Sequence, residues 1–302
     1  MVDIVIVNWN SRGYLKKCIH SILSNKNIGV INRVFIIDNN TSDTSLTGVP
    51  VHNKITIVKN TENVGFSRAC NQGFKLCTAS YVLLLNPDTQ LFETTLSDCV
   101  EFMNKQEEVD ILGCQLFLDD GKIAKSCARF PSPLTMFFDA TGLSKLNPRV
   151  FKPASLMTDW DHRESRFVDQ VIGAFMFMRS SIFKKTGYFD ERFFVYFEEL
   201  DFSKRLAEQG GKSYYNISIK AIHSENGTTM SVKGFRLFLY LKSRLQYAKK
   251  HFGYAGYFVV WSSTLLIEPF SRSLLLLVTG KPKEIKDVLK GYRLLLGSLP
   301  LS

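Results

Sequence analysis

The sequence predicts an α/β protein: a mostly parallel sheet flanked by helices, followed by a C-terminal helical extension that is both basic and apolar. Strand-like and helix-like segments alternate over roughly the first 90 residues, which favours a parallel sheet. Polar residues follow several strand-like segments at their ends. The 302 residues are 45% hydrophobic and 22% charged, which excludes global disorder and allows one α/β domain with an appendage or two small domains.

Four strands are predicted in the first half from short apolar and β-branched runs, at 2–8, 33–38, 55–59 and 81–85. The last is the most apolar and stops before Pro87, because proline cannot continue a central strand. Asp88 is therefore placed at the carboxyl end of that strand. Helical spacing of apolar residues predicts helices at 12–23 and 65–77.

The middle of the chain, 119–166, contains four of the nine prolines and little periodicity, so we interpret it as loops and short elements that shape a second site. Regular structure then returns. The sequence predicts a strand at 169–178, a short helix at 180–186, a helix at 198–209 that ends at a Gly-Gly pair, and a strand at 212–222. We predict a domain boundary at 232, between the α/β region 1–232 and the extension 233–302.

The distribution of charge is more informative than the net charge of +10. Residues 233–302 carry 12 Lys or Arg and three acids, so this segment holds +9 of the total. A basic, apolar segment attached to a nearly neutral body is typical of proteins that bind an anionic membrane surface. Nucleic acid is the other common partner of a basic segment, but the many apolar neighbours favour lipid.

Glu268, Pro269 and Arg272 interrupt the most apolar part of the extension, which leaves runs shorter than the roughly 20 residues that span a bilayer. We therefore predict amphipathic helices that lie in the membrane plane. Core helices packed on the rest of the chain, a homodimer contact, or a spanning hairpin are the alternatives. No signal peptide is expected before the first strand, and the cysteine spacing predicts reduced thiols in a cytosolic protein.

Several polar residues are expected where ligands bind in such sheets, beyond the carboxyl ends of the strands: Asn8, Asp38, Asn63 and Asp88. The carboxylate of Asp38 can accept a hydrogen bond from a nucleotide base or ribose, or it can cap its own turn. The carboxylate of Asp88 can hold a divalent cation together with diphosphate oxygens, or it can be a turn residue. The ordinary dinucleotide and P-loop fingerprints are absent from the sequence.

The segment 63–73 opens a helix with features of a phosphate site. Asn63 is predicted to be its N-cap, Gly65 allows close approach of the backbone, and Arg68 lies in the first turn. Asn71 is either a ligand-binding residue or a buried structural hydrogen-bonding group.

Three carboxylates occur within four residues of an aromatic run. Glu198 and Asp201 share a helix face, and Glu199 points about 100° away. Acids at a helix start are favourable by themselves, but three beside Phe and Tyr suggest that one is a general base with a tuned pKa. Asp201 and Arg205 are spaced for an ion pair. His223, at a strand end, is predicted either to be structural or to contact metal or phosphate.

Six segments occur in an order and at a spacing found together in one enzyme family: VDIVIVNWN, IIDNNTSD, NVGFSRACNQG, LLLNPD, VIGAFMFMRSSIFKKTGYFDERFFVYFEELDFSKRL and IHSENGTT. Over roughly residues 2–230 the chain thereby resembles the inverting family 2 glycosyltransferases of the GT-A fold, which is Rossmann-like. The nearest likeness is to the rhamnosyltransferase-like members that build bacterial O-antigen, capsule or cell-wall glycans.

The resemblance implies a nucleotide-sugar half, 1–118, and an acceptor half, 119–232. Asp38 matches the acid that contacts the nucleotide base, and Asn8 and Asn10 lie where the first strand opens onto that nucleotide. The segment beside the nucleotide sugar is matched by Gly65, Phe66 and Asn71.

The metal-binding DxD of the family is matched by Asn86-Pro87-Asp88, in which the first acid is an amide. Asp88, with His223 nearby, implies a site for Mg²⁺ or Mn²⁺. Glu198-Glu199 matches the family's ED pair, whose second acid is usually taken as the base, and Glu199 is one methylene longer than that Asp. Asp201 and Arg205 match the rest of that helix.

The resemblance implies a direct displacement in which Glu199 deprotonates an acceptor hydroxyl, the sugar inverts, and the diphosphate leaves with its charge held by metal at Asp88. The donor implied first is dTDP-rhamnose, with UDP- and GDP-sugars open. The implied acceptor is a lipid-linked oligosaccharide at the cytoplasmic face of the membrane.

Two other functions are alternatives. The amide at Asn86 supports a non-catalytic nucleotide- or sugar-binding scaffold of a glycan assembly complex. A sugar-phosphate nucleotidyltransferase is also α/β, but it requires a Gly-rich basic loop that 8–13 matches poorly.

Overall fold

The computed structural model describes residues 1–23, 25–224 and 233–298. The described residues form two compact units. The first holds those within Met1–Ala128, Asp161–Glu191 and Glu198–Thr228, and the second holds those within Arg129–Trp160, Arg192–Phe197 and Thr229–Ser302. The second unit therefore contains, besides the extension, two segments from before residue 232. The division into nucleotide-sugar and acceptor halves stays a prediction.

The strands and helices of the described chain have the following bounds. The strands are β1 (Val2–Asn8), β2 (Ile31–Asp38), β3 (Ile55–Lys59), β4 (Tyr81–Leu85), β5 (Thr89–Leu91), β6 (Ile111–Phe117), β7 (Cys127–Ala128), β8 (Arg166–Val168), β9 (Gln170–Val171), β10 (Phe175–Arg179) and β11 (Ser213–His223). The helices are α1 (Tyr14–Ile22), α2 (Asn25–Ile28), α3 (Phe66–Leu76), α4 (Thr95–Lys105), α5 (Pro133–Thr141), α6 (Leu143–Leu146), α7 (Ile182–Thr186), α8 (Glu198–Ala207), α9 (Lys233–His251), α10 (Gly253–Ser262), α11 (Glu268–Val278) and α12 (Ile285–Ser298).

In the first unit, nine strands of the described chain form one mixed sheet in the order β3-β2-β1-β4-β10-β6-β11-β5, with β8 paired to β11. The neighbours β3, β2, β1 and β4 are parallel, as predicted, whereas β10 is antiparallel to both β4 and β6. This confirms the predicted α/β sheet. The register of β1 against β2 places Asn8 beside Asp38 at the carboxyl edge.

The two faces of β1 are covered by different helices. Ile4 and Ile6 belong to one hydrophobic cluster with the buried residues of α1. Val5 faces the other way, against α3, where a Cβ added to Gly73 would lie 2.4 Å from Val5 Cγ1. The alternation follows from the two-residue period of a strand, and it explains why a glycine stands inside a helix.

One predicted strand is wrong in detail. The segment 169–178 forms two strands, of which β9 pairs with β7 in a separate ribbon and β10 joins the main sheet. An apolar run indicates burial but does not specify the partner strand. The other predicted elements begin and end within two residues of their observed bounds.

The second unit is helical. α9 and α12 approach closely, since a Cβ on Gly291 would lie 3.0 Å from the Gly234 carbonyl. α5 lies in the segment interpreted as irregular and has a start signal that the sequence analysis missed. Its N-cap Ser132 forms a capping box with Thr135, and Pro133 stands at the first helical position. Among the described helices, none is both long and apolar enough to cross a bilayer.

Candidate active site

Strands β1 and β2 bring a polar network to the carboxyl edge of the sheet. The Asn8 amide donates to Asp38 Oδ1, Thr41 Oγ1 and Ser45 Oγ, each at 3.0 Å. Its two hydrogens are shared among these three acceptors. Asp38 is buried, and within the described residues its second oxygen has no hydrogen-bond partner. That oxygen can accept a hydrogen bond from a ligand.

Asn10 holds the loop that follows β2. Its backbone is left-handed, with φ of 52°. Its side-chain Oδ1 accepts hydrogen bonds from the backbone amides of Ser42 (2.8 Å) and Asp43 (3.2 Å). The backbone amide of Asn10 donates to Thr41 Oγ1. Asn10 therefore orders the loop beside Asp38.

Asn63 is not the N-cap of α3, contrary to the prediction. The cap position is Gly65, with φ of 90°, which L side chains rarely adopt. Asn63 Oδ1 instead accepts from the amide of Gly65 at 3.0 Å and from Asn39 Nδ2 at 2.8 Å. Asn63, two residues before the cap position, therefore forms an Asx-turn with Gly65 and does not cap the helix itself.

Asn39 lies within the quoted segment IIDNNTSD, and the sequence analysis assigned it no role of its own. Its Oδ1 accepts from the amide of Val64 and from Asn60 Nδ2, both at 3.1 Å, and its Nδ2 donates to Asn63. It thereby ties the end of β2 to the start of α3. Asn40, its neighbour, is exposed, and no sequence signal distinguishes the two.

Helix α3 is tied to the segment that ends at Glu191. Buried Asn71 exchanges two hydrogen bonds with the Phe189 backbone, at 2.9 and 3.0 Å, and donates to Glu191. Arg68 is largely exposed, with its Nε 3.3 Å from the Glu191 carboxylate. Phe66 is half-buried at the first helical position. These contacts match the structural alternative for Asn71.

Asp88 and His223 meet at the β5–β11 ladder. Thr89 pairs with His223, and His223 Nε2 lies 3.2 Å from Asp88 Oδ1. His223 Nδ1 is buried and has no hydrogen-bond partner among the described residues. The remainder of the predicted motif, 225–229, lies outside the described residues.

The donor atoms of this pair fit a divalent cation. Magnesium prefers oxygen ligands and manganese accepts both carboxylate and imidazole. Within the described residues, no group of three His, Cys, Asp or Glu side chains could hold a metal. The pair therefore offers two protein ligands, and a bound diphosphate and water would have to complete the shell.

Glu198 and Glu199 open α8 as a hydrogen-bonded pair of acids. Glu198 is 2% exposed, and burial together with the Glu199 carboxylate raises its pKa well above the ordinary value. Burial also raises the pKa of Glu199, while hydrogen bonds from the amides of Glu199 and Gly173 and from Glu198 partly offset that rise. The pair therefore retains a proton that two exposed glutamates would lose, and the Glu199 charge favours Glu198 as the acid that carries it.

An unsatisfied oxygen belongs to each acid of this pair. Glu198 Oε2 and Glu199 Oε2 are buried without a hydrogen-bond partner among the described residues. A buried carboxylate oxygen without a donor is costly. The oxygen of ionised Glu199 can therefore bind the hydroxyl group of a ligand and accept its proton.

Asp201 and Arg205 form the predicted ion pair, with Arg205 Nε 2.8 Å from Asp201 Oδ2. The other guanidinium nitrogens donate to the carbonyls of Thr186 and Tyr188. Asp201 is fully buried. All three guanidinium nitrogens of Arg205 have protein acceptors. The ion pair therefore has a structural role, which is to fix α8 to the segment that precedes it.

The acid pair of α8 and the segment around Asp88 both lie close to the connection between β9 and β10. A Cβ placed on Gly173 would lie 3.7 Å from Glu199 Oε1. The next residue, Ala174, accepts through its carbonyl a hydrogen bond of 3.1 Å from the amide of Asn86, two residues before Asp88. Glu199 and the segment that carries Asp88 therefore both contact the short connection between β9 and β10.

The family described as Glycosyl transferase family 2 matches residues 3–186, more than half of the chain. The chain belongs to this family. It is a glycosyltransferase, and its sheet has the GT-A fold that the resemblance implied.

Two relatives of this family 2 glycosyltransferase are named as rhamnosyltransferases. It is 25% identical to rhamnosyltransferase WbbL of Escherichia coli K12 over 256 residues, which cover 82% of this chain and 92% of the relative. It is 24% identical to an N-acetylglucosaminyl-diphospho-decaprenol L-rhamnosyltransferase of Mycobacterium tuberculosis over 208 residues, 65% of this chain and 67% of the relative.

The structure of this glycosyltransferase is similar to that of mannosyltransferase PcManGT from Pyrobaculum calidifontis, solved with GDP-Man and Mn²⁺. The TM-score is 0.58 at 12% identity, covering 98% of this chain and 86% of that one. At this identity the likeness concerns the fold alone.

Proposed function

We propose that this glycosyltransferase moves a sugar, with rhamnose as the first candidate, from a nucleoside diphosphate donor to a hydroxyl group of a growing lipid-linked glycan. The observation that carries the proposal is that Glu199 lies against Gly173, while Asn86, two residues before Asp88, donates to the carbonyl of the next residue, Ala174. The names of two relatives support rhamnose, and the decaprenol in one of them supports a lipid-linked acceptor.

At the acceptor end, Glu199 Oε2 accepts the proton of the attacking hydroxyl group. Glu198 holds the Glu199 carboxylate in place through their hydrogen bond, and burial together with the Glu199 charge raises the pKa of Glu198 well above its ordinary value. The hydroxyl oxygen attacks the anomeric carbon opposite the diphosphate, so the configuration inverts. General-base assistance of this kind contributes about 10²–10⁴-fold.

At the donor end, the free oxygen of Asp38 accepts a hydrogen bond from the base or ribose of the nucleotide. Asn8 and Asn10 keep the surrounding loop in place. Asp88 and His223 would hold Mg²⁺ or Mn²⁺, which neutralises the charge of the leaving diphosphate when bound. The Mn²⁺ in the PcManGT complex supports this choice of cation.

We place the reaction at the cytoplasmic face of the membrane, where a lipid-linked acceptor and a nucleotide sugar meet. The basic, apolar extension supports this location. A homodimer and the exclusion of nucleic acid as a partner remain predictions from the sequence.

A panel of nucleotide sugars tests the proposal. The full chain is incubated with dTDP-rhamnose, UDP-sugars or GDP-sugars, with Mg²⁺, Mn²⁺ or EDTA, and its thermal stability is followed. Nucleoside diphosphate release is then measured after a lipid-linked acceptor is added in detergent. A true donor present well above its Kd raises stability by about 2.7 kcal/mol or more, and release requires the cation. Stabilisation by every donor class alike, or release that persists in EDTA, would contradict the proposal.

A further inference from the structure

The second unit exposes an unusual amount of apolar surface. About half of the exposed large hydrophobic residues in the described chain lie between Tyr254 and Leu296. Along α10, the π-helical turn Ser263–Ile267 and α11, they form a stripe that we call the apolar face: Tyr254, Phe258, Leu266, Phe270, Leu274 and Val278. Most successive members are four residues apart, so each lies next to the following one on the helix surface.

The apolar face carries no charge. The only charged residues of 253–278 are Glu268 and Arg272. Glu268 is buried against Arg244 of α9, and Arg272 donates to Glu268 through Nε at 2.8 Å. Both charges are therefore satisfied inside the unit, which leaves the outer side of the helices neutral. Neutral apolar patches of this extent mark interaction surfaces.

A row of cations follows directly in the chain. We call it the basic strip: Lys281, Lys283, Lys286, Lys290 and Arg293, all exposed. Of the two acids between 279 and 298, Glu284 is bound by Lys233 at 2.8 Å and Asp287 is half-buried. On α12 the cations alternate with exposed Leu289 and Leu296.

We infer that the apolar face and the basic strip together form a docking surface for an anionic lipid bilayer, with the helices lying in the membrane plane. The inference rests on the membrane location in the proposed function and names the residues that produce it. Aromatic and aliphatic side chains enter the boundary between headgroups and acyl chains, and Lys and Arg contact anionic headgroups.

A bilayer fits these features better than a second copy of the chain. Binding through the same surface in a symmetric dimer would bring two basic strips close to each other, and like charges oppose such an arrangement. An anionic bilayer supplies both an apolar phase and negative charge, so it uses the whole surface.

Co-sedimentation of the full chain with vesicles tests the inference. The vesicles are phosphatidylcholine alone, or phosphatidylcholine with added phosphatidylglycerol. Replacing Phe258, Phe270 and Leu274 together by Ser should weaken binding to anionic vesicles at least about 100-fold, because three large apolar groups no longer leave water. The control replaces three exposed apolar residues of the first unit, Val51, Leu76 and Phe92, by Ser and should bind like the wild type.

The electrostatic part has its own variant. Lys286→Ala, Lys290→Ala and Arg293→Ala together should weaken binding to anionic vesicles about 100-fold, with no effect on neutral vesicles, since each cation near such a surface contributes about fivefold. Added salt should weaken the binding of the wild type to anionic vesicles until it approaches that of this variant.

Several results would overturn the inference: wild-type protein that does not bind anionic vesicles, an apolar-face variant that binds as well as its control, or a lipid-free dimer that this variant turns into monomers. Nucleoside diphosphate release is measured on all variants without vesicles, with the lipid-linked acceptor supplied in detergent. Vesicle binding without any release of nucleoside diphosphate would refute the proposed function but not the docking surface. Release without vesicle binding would refute the docking surface but not the proposed function.

Discussion

At the residue scale, the two adjacent glutamates have different tasks because their surroundings differ. Glu198 is buried and keeps its proton, whereas Glu199 receives hydrogen bonds from the Gly173 amide and from Glu198. A glutamine can replace a protonated glutamic acid as a hydrogen-bond donor, but it cannot replace a base. Substitutions that look equivalent in the sequence should therefore have unequal effects.

We expect Glu199→Gln to lower kcat by about 10²–10⁴-fold, since the general base is lost. Glu198→Gln should retain kcat within about tenfold, because its amide still donates to Glu199. Steady-state release of nucleoside diphosphate in the presence of acceptor measures both variants. Equal losses in the two, or full activity of Glu199→Gln, would remove Glu199 from the role of base.

At the element scale, α3 lies so close to β1 that only glycine fits at position 73, where the helix contacts Val5. Gly73→Ala should destabilise the protein by about 1–3 kcal/mol through overpacking against Val5. Val5→Ala removes the clashing methyl groups and should recover part of that loss in the double variant. Urea unfolding of the two single variants and the double variant measures the coupling. Strictly additive effects would show that the two side chains do not meet.

The helices of the second unit are joined by a buried charge network. Arg244 is 2% exposed and Glu268 is 1% exposed. Burial by itself raises the pKa of Glu268, but Arg244 and Arg272 outweigh it and hold the pKa below its ordinary value. Removing one partner leaves buried charge uncompensated, so Glu268→Ala should lower stability by about 3–5 kcal/mol.

The matched control for Glu268→Ala is Glu284→Ala, which breaks the exposed ion pair with Lys233. We expect no measurable change in stability there, because water solvates both partners once they separate. Thermal unfolding followed by circular dichroism compares the two variants. A similar Tm for both would contradict a structural role of the buried network.

At the scale of the whole molecule, the two kinds of buried glutamate act in opposite directions as pH changes. Glu198 has a raised pKa in the folded state, so its contribution to stability is present below about 4.3, the ordinary pKa of glutamate, and is lost as pH rises through the folded value. Glu268 has a lowered pKa, so its contribution is present above the ordinary value and is lost as pH falls through the folded value.

Glu198→Gln should therefore gain stability relative to the wild type as pH rises, by at most about 1.4 kcal/mol per pH unit. The reason is that the variant has no proton to release at this buried position. Denaturant unfolding of both proteins over a pH series measures the difference. Parallel stability curves would mean that Glu198 is already ionised in the folded protein.

Local patterns in the sequence were sufficient to predict most helices and strands of this fold, and to place Asp88 at the edge of the sheet. Short continuous apolar runs predicted the parallel strands, because helices cover both faces of such a sheet and bury the side chains on each. Pro87 marked the end of β4, so Asp88 could be placed at the edge of the sheet. The excess of Lys and Arg after residue 232 is likewise a property of the sequence itself.

Contacts between distant residues were decided only by the tertiary structure. The split of 169–178 at Gly173 depends on which strands pair, and the amide cluster around Asn39 depends on a left-handed Gly65 that local propensity did not indicate. The meeting of Asp88 with His223 follows from the antiparallel pairing of β5 with β11. A sequence specifies which residues favour burial or a turn, whereas strand pairing depends on the combined packing of segments far apart in the chain.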